Sequence, residues 1–185
     1  MNDVDGLSNR AELAMIEAKL LKHGGQIYAD IWQLGLNTAL RITDLLSLRM
    51  QDVQGQENLT LLEGKTGKTR QIKLNARALE VINRRVANHP RHTWLFQSDA
   101  ARARSAQKPI NRSTVARKFQ EIGEIVGVNL GTHSMRKSRG AVMYVEGVPL
   151  ETISKVLNHS HPAVTMRYIG LTKKAVAETY DDFVL

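Results

Sequence analysis

One stretch of this chain is patterned unlike the rest, and it fixes the fold class. Between Asn58 and Leu74 an apolar run, Leu59-Thr60-Leu61-Leu62, enters a turn rich in Gly and Lys, and Arg70-Gln71-Ile72-Lys73-Leu74 then alternates polar with apolar residues. That pattern predicts a β-hairpin. Elsewhere apolar residues recur at helical spacing: Leu13, Ile16 and Leu20; Ile31, Leu34, Leu36 and Leu40; Leu45, Leu46 and Leu48; Leu79, Ile82 and Val86; Val115, Phe119, Ile122 and Val126; Ala141, Val142 and Val145; Ile153, Val156 and Leu157. Ser8 or Asn9 is placed to cap the first of these helices, Gly24-Gly25 to end it, and Pro149 to open the one through Ile153. Trp94-Leu95-Phe96 reads as a short buried strand. The expected architecture is mainly α with a small antiparallel β-sheet, an α+β fold.

With 185 residues and neither an internal repeat nor a linker, the chain reads as one domain over residues 1–185 that buries its own core. Residues 1–9 are expected to be loose, and Ala100 to Pro109, rich in Ala, Arg, Ser and Gln, to form an exposed basic loop. Residues 172–185 are expected to form a tail helix whose stripe of Val176, Tyr180, Phe183 and Val184 docks either on its own domain or on a neighbouring protomer.

Lys and Arg total 26 against 18 Asp and Glu, a net charge of +8. This suits an acidic partner such as nucleic acid, and equally a merely basic soluble protein. No cysteine is present, so disulfides, thiolate zinc sites and thiol nucleophiles are excluded. His89, His92, His159 and His161 lack a matching set of carboxylates, and no metal is expected. No stretch reads as a leader or a membrane span, so the expected location is the cytoplasm, at the nucleoid, with no membrane partner.

The residues that carry chemistry stand at fixed offsets near the end: His133 opening His133-Ser134-Met135-Arg136, His159 in Leu157-Asn158-His159-Ser160, and Tyr168 nine residues on. Upstream stand Arg41 and Lys65. Together they suit attack on a phosphodiester by a phenol, which needs a base for its proton and cations for the charge that grows on the phosphorus oxygens. Arg41 and Arg136 offer forked donors for those oxygens. His133 can take the phenol proton, Lys65 on a hairpin tip can protonate the leaving oxygen, and His159 adds a donor. Lys68 stands close by in the same turn. A phosphate-loop reading of Gly64-Lys65-Thr66-Gly67-Lys68-Thr69 fails, because the leading glycine is missing and a strand pattern follows where a helix is required. Lys68, Arg70, Arg102, Arg104, Lys108, Arg112, Arg117 and Lys118 are candidate DNA contacts.

The sequence resembles the tyrosine recombinases, the phage integrase family. Thr38-Ala39-Leu40-Arg41-Ile42-Thr43-Asp44-Leu45-Leu46-Ser47-Leu48 is similar to the family's first arginine box, His133-Ser134-Met135-Arg136 to its His-x-x-Arg box, and Leu157-Asn158-His159-Ser160 through Met166-Arg167-Tyr168 to its closing box. Gly64-Lys65-Thr66-Gly67-Lys68 resembles the hairpin that presents its lysine. The resemblance implies the tyrosine recombinase catalytic-domain fold, with Arg41, Lys65, His133, Arg136, His159 and Tyr168 catalytic and Asp44 in support. Tyr168 would form a 3′-phosphotyrosyl link and release a 5′-hydroxyl, and strand exchange would proceed without metal, cofactor or ATP. The implied partner is double-stranded DNA carrying a specific recombination site, bound by a homotetramer, with accessory DNA-bending proteins as further candidates. Two readings stand beside it: a non-catalytic DNA-binding module of the same fold, and DNA relaxation like that of a type IB topoisomerase.

Some positions depart from the family pattern. Ala39 and Asn158 replace usual glycines, and Lys137 and Arg139 stand where many members have His and an aromatic residue. The N-terminal core-binding domain usual in the family is expected to be absent.

Overall fold

Asparagine opens three of the long helices. The side chains of Asn9, Asn75 and Asn111 accept from the amides of Ala11, Ala78 and Ser113 at 2.8, 3.0 and 2.9 Å, filling donors that a first helical turn leaves unpaired. In the computed structural model, which describes residues 4–98, 107–159 and 161–168, α1 (Arg10–Gly24) and α2 (Gln26–Thr38) fold back on each other at Gly25. That residue has φ 91°, and its amide donates to the carbonyls of Leu20 and Leu21. Short helices α3 (Ile42–Leu46) and α4 (Met50–Val53) lead into the hairpin of β1 (Asn58–Leu62) and β2 (Thr69–Lys73). The strands are antiparallel, in register from Asn58 opposite Lys73 to Leu62 opposite Thr69. Then follow α5 (Ala76–Asn88), α6 (Arg112–Val126), α7 (Ser134–Val145), α8 (Leu150–Val156) and α9 (Pro162–Tyr168).

The core sits where α1, α2 and α6 meet. Trp32 is fully buried edge-on to Phe119, with ring centroids 5.6 Å apart, among Ile16, Leu20, Leu45, Phe96 and Ile122. A smaller cluster of Ala39, Ile153 and Leu157 joins the end of α2 to α8. The mainly helical fold with one small antiparallel sheet is the architecture expected from the sequence. No helix among the described residues is long and apolar enough to cross a membrane.

Three local expectations are corrected. Trp94-Leu95-Phe96 forms no strand: Trp94 makes a single bridge to Arg49 and Gln97 another to Pro109, with a turn between them. Leu40 lies beyond α2, because Ala39 adopts φ 50°, ψ 31° and ends the helix. Residues 4–7 are not loose. The Asp5 amide donates to Asn129 O and the Asn129 amide to Asp5 Oδ2, each at 2.9 Å. The Leu7 amide donates to Ser138 Oγ and Lys137 Nζ to Val4 O, also at 2.9 Å. Arg102, Arg104 and the tail stripe of Val176, Tyr180, Phe183 and Val184 lie outside the described residues.

Helix α2 approaches α7 closely at Gly35, where an added Cβ would stand 2.3 Å from Met135 Sδ and 3.2 Å from Met135 Cβ. Met135 is fully buried and precedes Arg136, so it has no empty space to retreat into. Gly35→Ala is expected to destabilise the protein by about 1–3 kcal/mol through overpacking, read as a lower urea midpoint with an unchanged m-value.

Candidate active site

Two helices end side by side with carbonyls pointing inward, and buried guanidiniums fill the space between them. Arg136, on the first turn of α7 and 2% exposed, donates to Ala39 O at 2.7 Å and to Leu157 O. Arg70 on β2 donates to Thr38 O at 2.9 Å, Ala39 O at 3.2 Å and Val156 O at 2.5 Å. These acceptors are the last carbonyls of α2 and α8, which no helical amide reaches and which carry the negative end of each helix dipole. The expected DNA contact at Arg70 is therefore corrected: it is 9% exposed and its guanidinium is held by the protein itself.

Arg41 stands between the left-handed turn at Ala39 and the start of α3, in extended backbone. One of its N–H groups donates to Glu63 Oε2 at 2.5 Å. Among the described residues the rest of that guanidinium has no hydrogen-bond partner.

Glu63 went unrecognised in the sequence. Its carboxylate is fully buried. Oε2 accepts from Arg41, from Asn158 Nδ2 at 2.7 Å and from Thr66 Oγ1 at 3.0 Å, and Oε1 from Arg70 at 3.3 Å. Burial alone would raise its pKa, but the hydrogen bonds from Arg41, Asn158 and Thr66 outweigh it and hold the carboxyl below its usual value. Its amide donates to Lys68 O and its carbonyl accepts from the Gly67 amide, closing the hairpin tip that carries Lys65. Asp44 steadies that tip as well, accepting from the Gly64 amide at 3.1 Å.

His133 caps α7, one helical turn from Arg136. His159 follows Asn158, which turns the chain after α8 with φ 47°, and its Nδ1 lies 3.0 Å from the buried Thr165 Oγ1 on α9. Tyr168 is the last residue of α9, and its side chain lies outside the described structure. Arg41, Lys65, His133, Arg136 and His159 all line one cavity of about 300 Å³, with Lys68 and Asn158. An adjoining cavity of about 620 Å³ shares Arg41, Lys65 and His133 and adds Arg112. Lys68 and Arg112 thus border the site, whereas Arg117 and Lys118 line neither cavity and pair with Glu121. So many cations around one hollow, against buried Glu63 and Asp44, suit an anion of phosphate type. Among the described residues no group of three or more His, Cys, Asp or Glu is placed to hold a metal ion.

Both site histidines are held toward the neutral form. For His159, burial and then the charges of Arg136 and Arg41 lower the pKa from 6.5 to about 4. His133 reaches solvent, yet the protein around it withholds water, and Arg112, Arg136, Lys65 and Arg41 add to the downward shift. Neutral imidazoles beside arginines can accept a proton or donate one, without adding repulsion.

The profile of the phage integrase family matches residues 13–175. The chain is 30% identical over 184 residues to the probable integrase/recombinase YoeC of Bacillus subtilis (strain 168), covering 99% of this chain and 98% of that one. It is 28% identical over 147 residues to the tyrosine recombinase XerA of Pyrococcus horikoshii, covering 77% of this chain and 50% of XerA. Thus it spans nearly all of one relative and half of the other. The crystal structure of XerH site-specific recombinase bound to palindromic difH substrate, a post-cleavage complex, superposes with TM-score 0.70 at 18% identity, over 97% of this chain and 53% of XerH. At that identity the likeness shows the fold.

The histidine shifts set a pH dependence of stability. A histidine whose folded pKa lies below its unfolded value binds fewer protons when folded, so stability falls as pH drops from about 6.5 to about 4. Urea midpoints across that window are expected to decline, and His159→Asn to reduce the slope. An undiminished slope would show that His159 is not held neutral.

Proposed function

The chain belongs to the phage integrase family, the tyrosine recombinases, and we propose that it cuts and rejoins DNA at a specific site through a phosphotyrosyl link at Tyr168. The observation that carries this reading is the convergence of Arg41, Lys65, His133, Arg136 and His159 on one cavity, with α9, which ends in Tyr168, tied to it through Thr165 and His159.

In the proposed scheme the scissile phosphate enters between Arg41 and Arg136, whose N–H groups stabilise the charge that builds on its non-bridging oxygens. His133, neutral at physiological pH, accepts the phenol proton as the Tyr168 oxygen bonds to phosphorus. The bond to the 5′ oxygen breaks, and Lys65 on the exposed hairpin tip gives that oxygen its proton. The Thr165 hydroxyl, donating to His159 Nδ1, leaves the ring proton on Nε2, where it can meet a phosphate oxygen. The phosphotyrosyl bond conserves the energy of the phosphodiester, so attack by the 5′-hydroxyl of a partner strand reseals DNA without ATP. The arginines and the lysine supply the charge stabilisation and proton transfer, and the scheme calls on no metal.

Strand exchange needs two sites cut in concert, and the proposed working unit is a homotetramer on paired DNA sites at the nucleoid, with accessory DNA-bending proteins as candidate partners. Lys68 and Arg112 are proposed phosphate contacts beside the cavity; Lys108, Arg117 and Lys118 would add charge outside it. The tail after Leu171 is proposed to dock on a neighbouring protomer.

A random library lets the protein select its own target. The protein is incubated with nicked suicide duplexes of random sequence, and denaturation-resistant protein-DNA adducts are recovered and sequenced. Wild-type protein is expected to enrich one sequence, with DNA joined at Tyr168, and Tyr168→Phe to form no adduct. Adduct formation by Tyr168→Phe would reject the nucleophile, and no adduct from the wild type would reject the enzyme.

A further inference from the structure

We infer that Glu63 is a positioning residue for strand cleavage, holding Arg41, the Lys65 hairpin and the His159 turn in one arrangement around the scissile phosphate. The inference rests on the proposed cleavage reaction. It is carried by one buried carboxylate whose Oε2 gathers donors from three segments far apart in sequence: Arg41 ahead of α3, Thr66 in the hairpin tip and Asn158 after α8. Each donor neighbours or constitutes part of the proposed machinery. Arg41 is itself the first arginine, Thr66 follows Lys65, and Asn158 precedes His159.

The geometry separates holding from reacting. Glu63 is fully buried and lines neither cavity, so it does not meet substrate. Arg41 gives it a single N–H. A guanidinium is a planar fork, so fixing one edge orients the others. A freely rotating side chain would have to be ordered at the moment of reaction, and preorganisation of this kind is worth a large part of a catalytic barrier. The same carboxylate also offsets charge. Buried Arg70 and Arg136 and half-buried Arg41 crowd one region, and Glu63 is the acid that contacts two of them directly.

These two effects predict a split. Removing the negative charge leaves the site more cationic, so DNA binding should hold or tighten. Losing the tether frees Arg41, so cleavage should slow. Glu63→Gln keeps the shape but replaces one acceptor oxygen by a donor that opposes the donors around it. On the duplex recovered with wild-type protein, Glu63→Gln is expected to bind at least as tightly by fluorescence anisotropy, and to form adduct about 10- to 100-fold more slowly in single turnover, the loss typical of removing a supporting group. Asn158→Gly provides a variant that is compatible with folding. It suits the positive φ, deletes the cavity-lining amide that donates to Glu63, and is expected to slow adduct formation by about 10-fold.

A wild-type rate in both variants would overturn the inference. So would slower cleavage accompanied by weaker binding and an equal loss of urea midpoint, which marks a structural role alone. Absence of adduct from the wild type would remove the cleavage reading and this inference with it, whereas equal rates in wild type and variants reject Glu63 only.

Discussion

The C-terminal ends of α2 and α8 point their last carbonyls into one small volume, and everything at the site is arranged around that meeting. Thr38, Ala39, Val156 and Leu157 present acceptors that no helical amide can reach, and two guanidiniums enter from β2 and α7 to take them up. A buried carbonyl left without a donor costs about 1–3 kcal/mol, so this junction does not close without Arg70 and Arg136. Two buried cations in turn need a counter-charge, and Glu63 contacts Arg70 directly. The acid then reaches Arg41, which faces the cavity. Helix ends, buried cations, one buried acid and a cavity-facing arginine form a single chain of physical requirements.

How much of this could be read from the sequence depended on whether the signal was local. The hairpin followed from period-two alternation, the helices from their spacing, and the first helix start from the Ser8-Asn9 pair, whereas the caps at Asn75 and Asn111 were not read. Arg41, Lys65, His133, Arg136 and His159, which line one cavity, were named from side-chain types, offsets and the family resemblance. Arg70 was misread although the information was present: Ile72 and Leu74 face inward, and a strand's parity puts Arg70 on their side. Reading its charge ahead of its register sent it to the surface. Glu63 carried the same signal, standing one residue past β1 on the parity of inward-facing Leu59 and Leu61. Its partners come from segments more than twenty residues away on one side and more than ninety on the other, and no local pattern encodes those.

Ala39 and Asn158 show why the two departures from the glycine pattern are tolerated. Both have positive φ, at 50° and 47°, where glycine carries no penalty. An alanine there is strained by about 1–2 kcal/mol, but its methyl group is fully buried against Ile153 and Leu157, which returns about 0.8 kcal/mol. Asparagine enters this region more readily than most residues, and its amide gains Glu63 as a partner. Both turns keep a positive φ, and what fills them suits this core.

Arg136 does two jobs with one side chain, joining the helix ends and lining the cavity. Lys65, exposed on the hairpin tip, has no such double duty among the described residues. Mutation therefore does not fall evenly on the proposed catalytic set over evolutionary time. A lineage that stopped cutting DNA but still needed a folded DNA-binding domain could discard the lysine freely, while selection for folding alone would go on preserving the arginine. An intact Arg136 in a distant descendant would accordingly testify to ancestry and packing, and the lysine would be the better witness to whether the proposed chemistry had survived.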